Sequence, residues 1–182
     1  MAVTHVVGID PGLGGGIAIV QAVDGLPREA RILARTPVVW TTKKGVRRRE
    51  YDLHAMVAVL RAAKEHDPGL VVALERGGAR PHQGTASTYR TGLGVGLWQG
   101  IAAALGCPLI QVSPVAWKRA CGLLGCDKRM SRLRAVERFP GLGALGPADE
   151  GGAEAVLIAL AAVGVLHLLA RHLAADTEGP TQ

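Results

Sequence analysis

Cysteine is scarce: Cys107, Cys121 and Cys126 are the only three in 182 residues. No two form a C-x-x-C pair, and no Cys/His cluster has the spacing of a zinc site. The sequence therefore gives no basis for a structural zinc or a disulfide framework. An odd count without a framework points to reduced thiols in a cytoplasmic, cytosol-like compartment. The first residues lack a basic segment followed by a cleavage site, so no secretory leader is expected. One stretch, Ala155 to Ala170, is apolar enough to raise a membrane span. It is short, holds His167 and lies between Glu154 and Arg171, which favours a buried core helix and no membrane partner. Internal repeats and long linkers are also missing. A single domain over residues 1–175 is expected, with a loose polar tail over 176–182.

What is present is a basic chain with a full apolar complement: formal charge +6, 48% hydrophobic and 20% charged residues. A basic surface favours polyanions, nucleic acid among them. Two groups carry much of the charge. One is Lys43, Lys44, Arg47, Arg48 and Arg49; the other is Lys118, Arg119, Lys128, Arg129, Arg132 and Arg134. Each also reads as an ordinary solvated face or loop.

Apolar periodicity orders the chain. Thr4 to Ile9, Gly15 to Val23 and Ala30 to Val38 read as strands joined by short Gly- and Pro-containing links, as in hairpins. Tyr51 to Lys64 is helical, with Leu53, Met56, Val57 and Leu60 at three-to-four spacing. Leu70 to Leu74 is a short buried strand ending at Glu75. Thr85 to Leu105 reads as a helix despite Gly92, Gly94, Gly96 and Gly100. Pro108 to Val112 is a fifth strand. Helices follow over Pro114 to Cys121 (capped by Ser113), Lys128 to Arg138 and Gly152 to Leu173. Three hairpin-linked strands and two helix-separated ones give an α/β fold. Its mixed sheet has three antiparallel strands, then two parallel ones, flanked by helices.

The segment VVGIDPGLGGGIAIV sets one carboxylate, Asp10, between an apolar strand and a run of glycines. The glycines could cradle a phosphate, or give a nucleic-acid backbone room beside a metal held by Asp10. Other acids stand at comparable places: Glu75 ends the fourth strand, and Asp149, Glu150 and Glu154 open the last helix. Were the first and fourth strands neighbours, these carboxylates would meet at one sheet edge. There they would need a cation or strongly shifted pKa values. Oxygen ligands without Cys or His suit Mg²⁺ or Mn²⁺, and a pair of such ions about 4 Å apart is the usual device for phosphodiester cleavage. Plainer readings stand beside this one. Asp10-Pro11-Gly12 is also a turn signal, Asp149 a helix cap, Glu150 a first-turn acid, and Glu75 a partner for Arg76 or Arg80.

Five segments in order, VVGIDPGLGGGIAIV, VVALERGGARPHQGT, GVGLWQGIAAALG, VSPVAWKRACGLLGCDKRMSRLRAVERFPGL and DEGGAEAVLIA, resemble the RuvC-type Holliday junction resolvases. Within that family they are most similar to the branch found in phages and chloroplasts. The resemblance spans Val6 to Ala159. It implies a ribonuclease H-like fold and a homodimer acting in DNA recombination and repair. The implied activity is paired symmetric nicking of four-way junctions with Mg²⁺ or Mn²⁺, two ions per site, and no nucleotide cofactor. By position it implies Asp10, Glu75 and Glu154 as metal ligands. The fourth would be Asp149, with Glu150 as the alternative, because Gly151 occupies the slot that bacterial members fill with an acid or His. Gly152 stands where the phage and chloroplast branch carries Arg. Lys118 matches a basic position beside the scissile phosphate, as does Lys128. Arg119, Arg129 and Arg132 extend the DNA surface, and Arg80, His82, Gln83, Tyr89 and Arg90 fall where the family opens the junction. Trp98 and Trp117 read as packing residues. The alternatives are a flap or RNA–DNA hybrid nuclease of the same fold, and an actin-like ATP-binding protein. A chain of this length has no room for the second domain and second phosphate loop of the latter.

Overall fold

Residue parity along the first strand decides the layout. In β1 (Val3–Asp10), Val7 and Ile9 enter one apolar cluster while Val6 enters another. Period-two alternation therefore buries both faces, as a central strand requires. β2 (Gly16–Val23) pairs antiparallel with β1, and β3 (Leu26–Arg35) pairs antiparallel with β2. After a separate hairpin, β4 (Val38–Lys43) and β5 (Val46–Tyr51), the chain returns to the sheet. There β1 runs parallel to β6 (Val71–Glu75), which runs parallel to β7 (Leu109–Val112). The sheet order is β3-β2-β1-β6-β7, the mixed five-stranded arrangement expected from the sequence. The computed structural model describes residues 2–77 and 84–177.

Helices cover both faces. Met56 and Leu60 of α1 (Leu53–His66) and Val95 and Trp98 of α2 (Thr85–Ala104) pack with Val7, Ile9, Val72 and Leu74. The opposite face carries α3 (Pro114–Ala120), α4 (Lys128–Arg138) and α5 (Glu150–Thr177), packed on Val6, Ala18, Val20 and Ala73. Caps fix where helices begin. The side chains of Asp52, Ser113 and Asp127 accept the backbone N–H groups of Ala55, Ala116 and Met130. Burying Val156, Leu157 and Ile158 of α5 completely contributes about 1.5–3 kcal/mol each.

The structure departs from the sequence pattern in two places. Apolar content extends the third strand over Ala30 to Val38 and leaves the basic segment after it as a loop. Instead β3 ends at Arg35, and that segment forms the two-stranded β4–β5 hairpin, which also takes Tyr51 out of the first helix. The hairpin turn is Lys44-Gly45, both residues at positive φ (51° and 74°), the same two-residue geometry as Asp24-Gly25 between β2 and β3. The last helix also runs further than expected in both directions. It begins at Glu150 and passes through Ala174 and Ala175, strong helix formers, to Thr177. Its first half is the buried core helix that the sequence predicts. Its second half exposes Leu168, Leu169 and Leu173, and by length and composition alone the helix could cross a membrane.

The crossing of α5 over β1 and β2 is unusually close. A methyl group at Gly8 would strike the carbonyl oxygen of Ala155 and the backbone of Ala159. At Gly16 it would meet the backbone of Gly151 and Gly152, and at Gly151 the backbone of Gly15. Gly15 and Gly151 form an isolated parallel bridge. Several glycines of the opening motif thus serve helix-on-strand contact. We expect Gly8→Ala to destabilise the fold by about 1–3 kcal/mol or more through overpacking against rigid backbone. Gly164→Ala, where a methyl meets open space on an exposed helix position, should stabilise it by about 0.5–1 kcal/mol. Urea denaturation of both variants checks this opposition of sign; two changes of the same sign would refute it.

Candidate active site

The register of β1 against β6 brings two acids together. Ile9 pairs with Leu74, so Asp10 and Glu75 leave adjacent parallel strands side by side. By parity with Gly8 and Ala73 both face the layer of α3 and α5. The Gly15–Gly151 bridge then delivers the start of α5, so that Glu150 and Glu154 line the same cavity. This cleft, about 680 Å³, is bounded by Asp10, Glu75, Glu150 and Glu154, with Lys118 and Arg76 also on its wall. Glu75 and Glu154 are each only 9% exposed.

The supporting contacts are specific. The indole Nε1 of fully buried Trp117 donates to Oε2 of Glu75 at 2.9 Å. A charge-assisted bond of this kind fixes both the position and the rotamer of the carboxylate. Trp117 is placed by the Ser113-capped start of α3, and the Lys118 ammonium lies 5.3 Å from its ring centroid. Trp117, a packing residue by its sequence pattern, thus also orients the site. The signal that could have revealed it is a Trp adjacent to a candidate catalytic Lys, since a buried indole N–H usually finds an acceptor. Asp10 in turn accepts the N–H of Gly12 at 3.3 Å, and the Gly15 N–H donates to the carbonyl of Gly12 at 2.9 Å. These amides are committed within the loop.

Tyr51, at the end of β5, is a second residue that sequence reasoning missed. Its hydroxyl lies 3.0 Å from the carbonyl oxygens of both Pro11 and Arg90 and shares its single proton between these two acceptors. It thereby ties the hairpin to the Asp10 loop and to α2. Burial, together with the negative charge of Asp10, pushes its pKa up to about 12, against a smaller opposing effect of Arg90.

Asp149 lies elsewhere. It ends a 3₁₀ turn (Pro147–Asp149), where one carboxylate oxygen accepts the N–H of Gly146 at 2.9 Å and the other lies 4.0 Å from Arg35. It does not line the cleft, whereas Glu150 does. Asp149 thus caps its own 3₁₀ turn, and of the two acids Glu150 is the one on the cleft wall. Of the expected DNA-contacting residues, Lys118 lines the cleft, and Arg119 and Arg129 are exposed. Arg132 is half-buried on α4, and Lys128 opens that helix. Tyr89 is 69% exposed and, with Arg90, borders a second cavity rather than the acidic one. Arg80, His82 and Gln83 lie outside the described residues. Cys107 and Cys121 are buried and Cys126 is exposed, all as free thiols, and burial raises the Cys121 pKa to about 11. None of the three lines the cleft.

The donor set is all oxygen, the chemistry that Mg²⁺ and Mn²⁺ prefer. Among the described residues, no three acidic, His or Cys side chains are gathered tightly enough to hold one ion as they stand.

No protein-family model and no curated protein matches this sequence. Solved structures do match. Thermus thermophilus RuvC in complex with Holliday junction substrate aligns with a TM-score of 0.60 at 20% identity, over 91% of this chain and 96% of that one. A second Thermus thermophilus RuvC structure aligns with a TM-score of 0.60 at 19% identity over the same shares. The fold is thus the ribonuclease H-like fold of RuvC.

Trp117→Phe keeps the ring but removes the donor to Glu75. It should cost about 1.5–3 kcal/mol in urea denaturation, and an unchanged midpoint would show that the bond does not hold Glu75. Tyr51 gives a pH test. Its folded pKa is raised, so the stability tied to the neutral hydroxyl is complete below about pH 10 and is lost as pH rises toward 12. In thermal melts Tyr51→Phe should flatten this alkaline decline, and an identical decline in both proteins would contradict the assignment.

Proposed function

We propose that the chain is a structure-selective endodeoxyribonuclease that resolves four-way DNA junctions by paired, symmetric nicks. The observation that carries this reading is the shared cleft. Carboxylates from β1, β6 and the start of α5, which lie far apart in sequence, line one cavity beside Lys118 in a ribonuclease H-like fold. A solved neighbour of that fold is RuvC bound to Holliday junction substrate, which supports the choice of junction DNA. The narrower similarity to phage and chloroplast resolvases rests on the sequence motifs alone; the two RuvC structures named above, from Thermus thermophilus, do not support it.

Asp10, Glu75, Glu150 and Glu154 would hold the divalent ions. Such ions, when bound, activate a water and stabilise the leaving oxygen. The protein supplies the rest. Trp117 keeps Oε2 of Glu75 engaged and so holds this acid on the cleft wall. Lys118 presents a cation to charge developing on the phosphate. The close crossing of α5 over β2 sets the depth at which Glu154 stands. Paired incision on a two-fold junction needs two such sites, hence a homodimer. Gly92, Gly96 and Gly100 support a close helix contact, since a methyl at any of them meets open space on the outer side of α2. The rival phosphate-cradle reading is disfavoured by the loop amides already engaged within the Asp10 turn.

Incubation with Mg²⁺ and, separately, a four-way junction, a flap and an RNA–DNA hybrid tests the reading. Symmetric nicks near the branch point are expected; cleavage of the flap or hybrid alone would select another nuclease. Asp10→Asn should abolish cleavage while retaining junction binding. Glu150→Gln should follow it, and Asp149→Asn should stay within a few-fold of wild type. The reverse order of these two substitutions would restore Asp149 as the ligand.

A further inference from the structure

The basic hairpin β4–β5 is not needed by the cleft chemistry, yet with α4 it is one of the two most highly charged elements of the chain. Residues 38–51 hold five cations and one carboxylate, four of the six net positive charges. Lys43 to Arg49 are all exposed. Glu50 is engaged by Lys43 at 2.8 Å, and among the described residues no carboxylate lies within ion-pair distance of Lys44, Arg47, Arg48 or Arg49. The strand register sets Trp40 opposite Arg49, and the Arg47 guanidinium lies 4.6 Å from the centroid of the Trp40 ring. Trp40 itself is 57% exposed. A ribbon that leaves a Trp, Val39 and Val46 in water while concentrating guanidinium groups is poorly suited to core packing. Cations interleaved with an exposed aromatic are what a sugar–phosphate backbone requires.

The hairpin is also held in fixed relation to the cleft. Tyr51 binds the Pro11 carbonyl, directly after Asp10, and the Asp52 N–H closes the hairpin base on the Pro37 carbonyl at 3.1 Å. Between hairpin and α2 runs a groove of about 860 Å³, with Arg48 and Arg49 on one wall and Tyr89 and Arg90 on the other. Its end is Leu13, flanked by Gly12 and Gly14, which belong to the acidic cleft. The groove and the cleft are therefore neighbours across a single loop.

We propose that the β4–β5 hairpin is a nucleic-acid-binding arm. It seats the phosphates on one side of the scissile bond in the groove against α2. The identity of the strand rests on the nuclease reading of the cleft; the affinity of the arm for nucleic acid does not.

The test is the binding of a four-way junction and of a linear duplex, without divalent metal, across 50–300 mM KCl. Arg47→Gln/Arg48→Gln/Arg49→Gln should weaken binding about 10- to 100-fold at 100 mM salt and make the log–log salt slope shallower by about 2–3, roughly one for each phosphate no longer neutralised. A control with the same charge change, Arg28→Gln/Arg31→Gln/Arg61→Gln, lies on exposed positions that border neither the groove nor the cleft and should shift the slope by less than about 1. Equal slopes for the hairpin variant and wild type, or equal effects of the two triple variants, would overturn the proposal. Should the hairpin triple lose its fold, the exposed pair Lys44→Gln/Arg47→Gln carries the same test with a slope change of about 1–2. Wild-type protein that binds DNA but fails to nick junctions with Mg²⁺ would instead overturn the resolvase reading and leave the arm standing.

Discussion

A long apolar helix lies on two strands closely enough that side chains at the contact points would collide with main chain. Gly8, Gly15 and Gly16 on the strand side meet Gly151, Gly152 and Ala155 on the helix side. Everything at the sheet edge follows from this approach. It fixes the first turn of α5 beside the end of β1, and so brings acids about 140 residues downstream in sequence to the same wall as Asp10. Interiors are packed densely enough that an added methyl cannot be absorbed locally when its neighbour is backbone. The position of Glu154 is therefore set by the glycines of this crossing.

Around that contact the fold supplies orientation from separate layers. Parity along β1 and β6 points Asp10 and Glu75 to the α5 side while their neighbours Ile9 and Leu74 enter the other core. α3 brings a buried indole to Glu75 and an ammonium beside it. From the opposite face, Tyr51 fastens the Asp10 loop to α2 and to the hairpin. Two of the four acids are thereby held by fixed hydrogen bonds, Asp10 by the Gly12 N–H and Glu75 by the Trp117 indole.

Much of this is readable in the amino-acid sequence because it follows from short-range pattern. Alternation and apolar runs locate the five sheet strands, and the Asp24-Gly25 turn marks a hairpin. Strand-end acids mark the edge where Asp10, Glu75 and Glu154 stand. The pattern fails where long-range packing or an unusual turn decides. Lys44-Gly45 is a hairpin turn with Lys in the left-handed region, a residue less often found there than Asn or Asp, so the basic segment reads as a loop. Whether Asp149 or Glu150 faces the cleft depends on a 3₁₀ turn preceding the helix, which no periodicity announces. The glycines after Asp10 suggest room for a ligand, but at Gly16 that space is taken by α5. Trp117 reads as packing because the acceptor of its N–H lies 42 residues away in sequence.

The central claim is that strand register and the glycine-lined seating of α5 put Asp10, Glu75, Glu150 and Glu154 on one cleft, where we propose that they hold divalent metal. Anomalous diffraction from crystals grown with Mn²⁺ and a non-cleavable junction measures it directly. The account predicts manganese in this cleft, with oxygen ligands from Asp10 and Glu75 together with at least one of the α5 glutamates. Manganese bound only elsewhere, or ligation through Asp149 with Glu150 turned to solvent, would contradict it.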